Sequence, residues 1–227
     1  MNFHIVTLFP ESLSSYLNES ILARAQKEKK ITVKFYNPRD HVAVAKQSLL
    51  RGKSSKPYKR VDDKPFGGGP GMVIQVEPIV KTLEAIKKKI KSKKVKIIHL
   101  SPSGEKFTTD YAKKAAKKFT DIIIICGRYE GIDARVKKIF KGDEISVGDY
   151  VLTGGELPAM IMIDCISRQI PGVLGKIESL EETRPASSDV YTRPEVFKYK
   201  NKNYKVPKVL LSGNHKLIDE WRKNKKG

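Results

Sequence analysis

Cysteine is scarce in this 227-residue chain: Cys126 and Cys165 stand far apart and form no Cys-x-x-Cys pair. Neither a disulfide framework nor a zinc site is encoded, and a reducing compartment is expected. The four histidines, His4, His41, His99 and His215, show no His-Glu-x-x-His or other ligand spacing, so no metal site is predicted. No apolar run approaches the roughly 18 residues that a bilayer-spanning helix needs. Residues 1–8 lack the basic start and small-residue cleavage site of a secretion signal. A cytoplasmic protein with no membrane partner is therefore expected. Gly-x-Gly-x-x-Gly is absent, and the densest glycine cluster, Phe66-Gly67-Gly68-Gly69-Pro70-Gly71-Met72, lacks the Gly-Lys-Ser/Thr ending of a P-loop. These absences argue against Rossmann-type methyltransferases or dehydrogenases.

Negative charge is also in short supply. Against 25 Asp and Glu stand 45 Lys and Arg, giving a formal net charge of +20, the electrostatic footprint of a protein that meets phosphate. Lysine supplies 35 of the basic residues, and runs such as Lys87-Lys88-Lys89 and Lys113-Lys114 also read as solvated helix faces.

Hydrophobic periodicity predicts strands at residues 3–8, 31–36, 95–100, 121–126 and 144–147, separated by helices. An amphipathic helix starts at Pro10 and Glu11 and runs through Leu13, Leu17, Ile21 and Leu22. A second, opened by Pro78, carries Ile79, Leu83, Ile86 and Ile90 inward. A third is capped by Thr108 or Thr109 and runs to about Phe119, and a fourth spans 158–169. Alternating strands and helices predict an α/β fold, a mostly parallel sheet with helices on both faces, and ligands bound outside the carboxyl ends of the strands. Residues 37–64 form a long polar segment rich in Arg and Lys, either an arm that settles on an anion or a disordered insertion. The predicted domains are 1–174, a linker at 175–190 rich in Glu, Ser and Pro, and a small basic domain at 191–227.

Three turns fall at predicted strand ends. Ser101-Pro102-Ser103-Gly104-Glu105 follows the third strand. Gly127-Arg128-Tyr129-Glu130-Gly131-Ile132-Asp133 follows the β-branched run 121–126. Gly148-Asp149-Tyr150-Val151-Leu152-Thr153-Gly154-Gly155 follows the last strand. Glycines around charged and aromatic residues let backbone approach a ligand closely, although isolated glycine pairs are also common turn punctuation.

As whole strings, Cys126 to Asp133 and Ser146 to Met160 closely resemble the signature of the bacterial tRNA (guanine-N1)-methyltransferases of the TrmD family. Similar matches occur at Leu8-Phe9-Pro10-Glu11, at Val61 to Met72, at Leu100-Ser101-Pro102, at Ser167-Arg168, at Ile170 to Gly175, at Tyr191-Thr192-Arg193-Pro194 and at Leu210 to His215. The resemblance covers nearly the whole chain. It implies a SPOUT-type deep trefoil knot threading the three turns, a small C-terminal helical domain at 191–227 that binds tRNA and is short for the family, a homodimer with the active site at the subunit interface, and S-adenosylmethionine as cofactor. The implied reaction is methyl transfer to N1 of guanosine at position 37 of tRNA. Alternatives within reach are another RNA target or a silent RNA-binding homologue.

For the cofactor, matching positions nominate Leu100, Ser101 and Gly104 in the first turn, Gly127 in the second, and Val147, Gly148, Asp149, Tyr150, Val151, Leu152, Gly154 and Gly155 in the third. Glu130 is the nearby polar candidate, with an ion pair to Arg128 or Arg135 as its bland alternative. Guanine N1 is protonated at neutral pH, so the reaction asks for a general base and for a cation near O6. Arg168, at the position of the family's catalytic arginine, is the candidate cation; the competing reading is a phosphate contact or a helix-dipole partner. The family's catalytic aspartate is missing from its usual place, where Thr183-Arg184-Pro185 stands. Glu182 is the favoured base, with Asp189 as rival and Glu181 also in reach; all could equally be solvated linker charges.

Overall fold

The computed structural model describes residues 1–42, 59–175 and 189–224. They fall into two compact units, Met1–Val173 and Leu174–Gly227. In the first, β1 (Asn2–Val6), β2 (Thr32–Tyr36), β5 (Val95–Lys106), β6 (Asp121–Ile125) and β7 (Asp143–Ser146) form one sheet in the order β2-β1-β6-β5-β7, with every pairing parallel. A short antiparallel pair, β3 (Asp62–Asp63) with β4 (Val73–Ile74), stands apart from it.

The run of isoleucines in β6 explains why this sheet is covered twice. Side chains alternate across a strand, and all five β6 residues are buried. Ile122 and Ile124 face one layer, with Phe3 and Ile5 of β1. Against them pack α1 (Glu11–Leu17), α2 (Ser20–Lys27), α4 (Thr109–Lys118) and α6 (Glu156–Arg168), through Leu13, Leu17, Leu22, Ala112, Ala115, Met162, Ile163 and Ile166. Ile123 and Ile125 face the other layer with Val6. There they meet Ile79, Leu83 and Ile86 of α3 (Val76–Lys89), and Val136 of α5 (Arg135–Ile139).

Several expectations shift in detail. The predicted first helix is two: α1 ends at Asn18, the chain turns through Ser20 at φ 49°, and α2 begins. The break rotates the face, so that Ile21 is exposed while Leu22 is buried. Thr108 is the cap of α4, its Oγ1 accepting from Tyr111 N at 3.2 Å. The first turn is an excursion inside β5, because Leu100 and Glu105 both register with Ile145 of β7.

The second unit is not purely helical. It holds an antiparallel hairpin, β8 (Val196–Tyr199) with β9 (Lys202–Lys205), followed by α7 (Lys208–Leu211) and α8 (His215–Asn224). Alternating Lys and aromatic residues suit a strand with two solvated faces and carry none of the apolar periodicity that a helix needs. Of the predicted linker 175–190, only residues 175, 189 and 190 are among those described, and most of the basic segment 37–64 also lies outside them. No helix among the described residues is long and apolar enough to cross a membrane.

Candidate active site

The excursion inside β5 and the carboxyl ends of β6 and β7 open onto one cavity of about 280 Å³. Its walls come from the three turns: Leu100 to Pro102, residues 127–131, and the stretch from Ile145 to Gly155, closed by Pro158 of α6. β6 and β7 flank β5, so the chain leaving β7 must cross the end of β5 to reach the loop after β6. It does so: Gly155 N donates to Gly127 O at 2.9 Å, and Arg128 bridges antiparallel to Gly154.

Glycine at 155 is required by that crossing, since a Cβ there would stand 2.7 Å from Cys126 Cα. Gly127 is different. A Cβ at this position would meet only Ile132, at 3.8 Å, so nothing in the chain's own packing demands glycine; the space it leaves belongs to the cavity.

Of the residues nominated from sequence, Leu100, Ser101, Gly127, Glu130, Val147, Tyr150, Val151, Leu152, Gly154 and Gly155 line the cavity. Three stand off its wall. Gly104 packs on β7, where a Cβ would lie 2.6 Å from the backbone of Glu144 and Ile145. Gly148 makes room for the Tyr150 ring. Asp149 pairs outward with Lys106, Oδ2 to Nζ 2.5 Å. Their neighbours in sequence reach the cavity while they serve the turns that build it.

Glu130 is held by backbone. Its N–H donates to Met72 O at 3.0 Å, and its carboxylate lies against Gly71, where a Cβ would come within 2.5 Å of Oε1. The glycine-rich segment thus walls this acid. Arg128 and Arg135 bind elsewhere: Arg135 pairs with Asp133 at 2.7 Å, and Arg128 Nε lies 2.9 Å from Glu156 Oε2. Glu130 forms no ion pair among the described residues.

Arg128, Thr7 and Glu156 form a cluster that the linear sequence did not disclose. Glu156, 3% exposed in the first turn of α6, accepts a hydrogen bond from Thr7 Oγ1 at 2.7 Å. Thr7 Oγ1 in turn accepts from Phe9 N at 3.0 Å, and the Arg128 guanidinium lies 4.6 Å from the centre of the Phe9 ring. Although Arg128 Nε and Glu156 Oε2 are close, the N–H is not aimed along the contact, so the pair is chiefly coulombic. Burial raises the Cys126 thiol, helped by the Glu156 charge and opposed by Arg128, so this cysteine stays an inert thiol at neutral pH.

Comparison with known proteins agrees with the geometry. The family model for tRNA (guanine-1)-methyltransferase TrmD matches residues 1–227. The chain is 48% identical to the tRNA (guanine-N(1)-)-methyltransferase of Clostridioides difficile (strain 630) over an alignment of 227 positions that covers 98% of this chain and 91% of that protein. It is 45% identical to the enzyme of that name from Carboxydothermus hydrogenoformans, covering 98% and 81%, and 42% identical to that of Campylobacter jejuni subsp. doylei, covering 96% and 88%.

The chain belongs to the TrmD family. Its membership frames the two catalytic candidates. Arg168 is the last residue of α6, half-buried, and does not line the cavity. Glu182 and Glu181 lie outside the described residues, and Asp189, in the second unit, is exposed. The TrmD signature loops surround the cavity, and Arg168 is not among the residues that line it.

Proposed function

We propose that this protein transfers a methyl group from S-adenosylmethionine to N1 of the guanosine at position 37 of tRNA, in the cytoplasm. The observation that carries the reading is the cavity itself: three turns of a TrmD chain converge on one space, and Gly127 leaves a cradle there that a Cβ would fill. The residues fit such a cofactor. Leu100, Val147, Leu152 and Pro158 offer apolar wall for adenine and ribose carbons, exposed backbone groups of residues 127–131 and 147–155 offer donors and acceptors, and the Glu130 carboxylate suits a ribose diol or an ammonium group.

S-adenosylmethionine, when bound, supplies an electrophilic sulfonium methyl. The chain's task is then to align and to manage protons. In the proposed scheme Glu182 would accept the proton from guanine N1 and free its lone pair, while Arg168 would hold the negative charge that gathers on O6; the cofactor would give up its methyl as the carbon–sulfur bond breaks and leave as S-adenosylhomocysteine. Since Arg168 does not line the cavity of its own chain, a homodimer in which one subunit completes the site of the other accommodates both requirements. α6 supports that arrangement, because Leu157 and Ile161, one turn apart, are both exposed. A trefoil knot is likewise supported by the passage of residues 147–155 across the end of β5 to the loop after β6.

The reading is tested by calorimetry with S-adenosylmethionine and mass analysis of transcribed tRNA carrying guanosine at position 37. A single added methyl, lost when that guanosine is replaced, is expected. Cofactor binding without methylation would point to another RNA, and absence of both to a silent homologue.

A further inference from the structure

The β8–β9 hairpin sorts its side chains into two unlike faces. Paired residues of an antiparallel ladder share a face, and successive residues alternate. The register Phe197 with Tyr204 and Tyr199 with Lys202 therefore puts three aromatic rings and one lysine on one face. Val196 with Lys205 and Lys198 with Asn203 form the other. The rings are in the open: Phe197 is 58% exposed, Tyr199 55% and Tyr204 50%. A core role is excluded for them, because the buried residue of the described second unit is Ile218, on α8.

Charge sets the kind of partner. From Val196 to Lys208 the chain carries Lys198, Lys200, Lys202, Lys205 and Lys208 and no carboxylate. Two of these ammonium groups already lie over the rings, Lys202 Nζ at 5.4 Å from the Tyr204 centroid and Lys200 Nζ at 5.5 Å from that of Tyr199. A protein partner would have to be acidic as well as apolar. A single-stranded nucleic acid supplies both complements at once, flat bases for the rings and phosphates for the lysines.

We propose that the aromatic face of this hairpin is a stacking platform for unpaired RNA bases, with the surrounding lysines tracking the phosphates. The proposal rests on the RNA-modifying reading above and deepens it, naming the face of the small C-terminal unit that would hold RNA and the chemistry by which it would do so. Base-on-ring stacking is tolerant of base identity, so the platform grips without selecting sequence. Its part is affinity and orientation of the RNA, and none of its residues enters the chemistry.

The test uses the full chain and two RNAs, a tRNA transcript and an unstructured adenosine oligonucleotide containing 2-aminopurine. Phe197→Leu, Tyr199→Leu and Tyr204→Leu keep apolar bulk on an exposed strand, so folding, checked by circular dichroism, should persist. Each is expected to weaken oligonucleotide binding by about tenfold and to abolish the fluorescence change of the stacked 2-aminopurine. Lys202→Gln, on the ring face, and Lys200→Gln, in the turn beside it, should instead lower the salt dependence, by about 0.7 per phosphate contact for a single strand. On tRNA the aromatic variants should raise KM and spare kcat. Unchanged oligonucleotide affinity in all three aromatic variants overturns the platform, even if methylation stands. A lower mass by light scattering with RNA affinity intact would assign the face to a second copy of the chain and overturn it equally. If the wild type methylates no RNA yet the oligonucleotide result holds, the platform survives and the methyltransfer reading falls.

Discussion

Arg128 and Glu156 meet across the two loops that close the cavity, Nε 2.9 Å from Oε2, with Thr7 donating to the other carboxylate oxygen at 2.7 Å. Three distant segments are thereby joined: the end of β1, the loop after β6 and the start of α6. Glu156 is almost fully buried and Arg128 is a quarter exposed, so the acid depends on its partners more than the base does. Removing one member of a buried pair leaves the other charge uncompensated, at a cost of about 3–5 kcal/mol. Glu156→Ala should therefore lower unfolding stability by about 3 kcal/mol, the low end because Arg128 can reach water. Urea denaturation decides it, and a change under about 1 kcal/mol would show the cluster to be ornamental to the fold.

The two glycines of the crossing should respond oppositely. Gly155→Ala drives a methyl into the Cys126 backbone and should destabilise by about 2 kcal/mol, the usual scale of overpacking. Gly127→Val has open space and should fold, yet its side chain enters the cavity and should abolish S-adenosylmethionine binding in calorimetry. Normal cofactor binding by Gly127→Val would place the cofactor elsewhere.

Acid should lower the stability of the fold in two pH ranges. Burial lowers the pKa of His99 from 6.5, against the pull of Phe140 O, which its Nε2 meets at 2.8 Å. The folded state resists that proton, so stability is full above about pH 6.5 and is lost as pH falls toward the depressed value. Asp121 follows. Burial alone would raise its pKa, but hydrogen bonds from His4, Thr120 and Asn2 outweigh it and bring the value below 3.8. Its contribution is present above 3.8 and lost below. Urea midpoints measured from neutral to acid pH should show both losses, and His99→Gln should flatten the first alone.

Affinity for tRNA should fall by orders of magnitude between about 50 and 200 mM salt, as expected when many lysines release counterions. A flat profile would mean that the net charge of +20 serves solubility only.

The general base is the sharpest chemical test. A positioned base contributes roughly 10²–10⁴-fold in rate. Glu182→Gln should lower single-turnover methylation at least about tenfold with cofactor and tRNA affinity nearly unchanged. Loss in Asp189→Asn with a silent Glu182→Gln would move the role to the rival, and silence in both would remove it from these two residues.

The sequence by itself determined the α/β class, the existence of the five sheet strands and their places along the chain, and the three glycine-bearing turns, because these rest on local period and local backbone demands; the order β2-β1-β6-β5-β7 in the sheet is tertiary. The unbroken β-branched run in residues 121–125 suffices to predict a strand buried on both faces, and the pair Thr108-Thr109 marks a helix start, of which the structure uses Thr108 as the cap. Which residues of each turn face the cavity is a tertiary matter. Gly104, Gly148 and Asp149 are nominated from sequence beside their neighbours, and only the register of β5 on β7, the place of the Tyr150 ring and the Lys106 pair show that they stand off the cavity wall. The Thr7–Arg128–Glu156 cluster is invisible in one dimension, since Thr7 and Glu156 lie 149 positions apart and meet only when β1 and α6 pack on the same sheet. Likewise the lysine-rich stretch after Val196 reads as plain charge. Only the antiparallel register, Phe197 opposite Tyr204, gathers its rings on one face, because pairing across the ladder, and not spacing along the chain, decides which side chains share a surface.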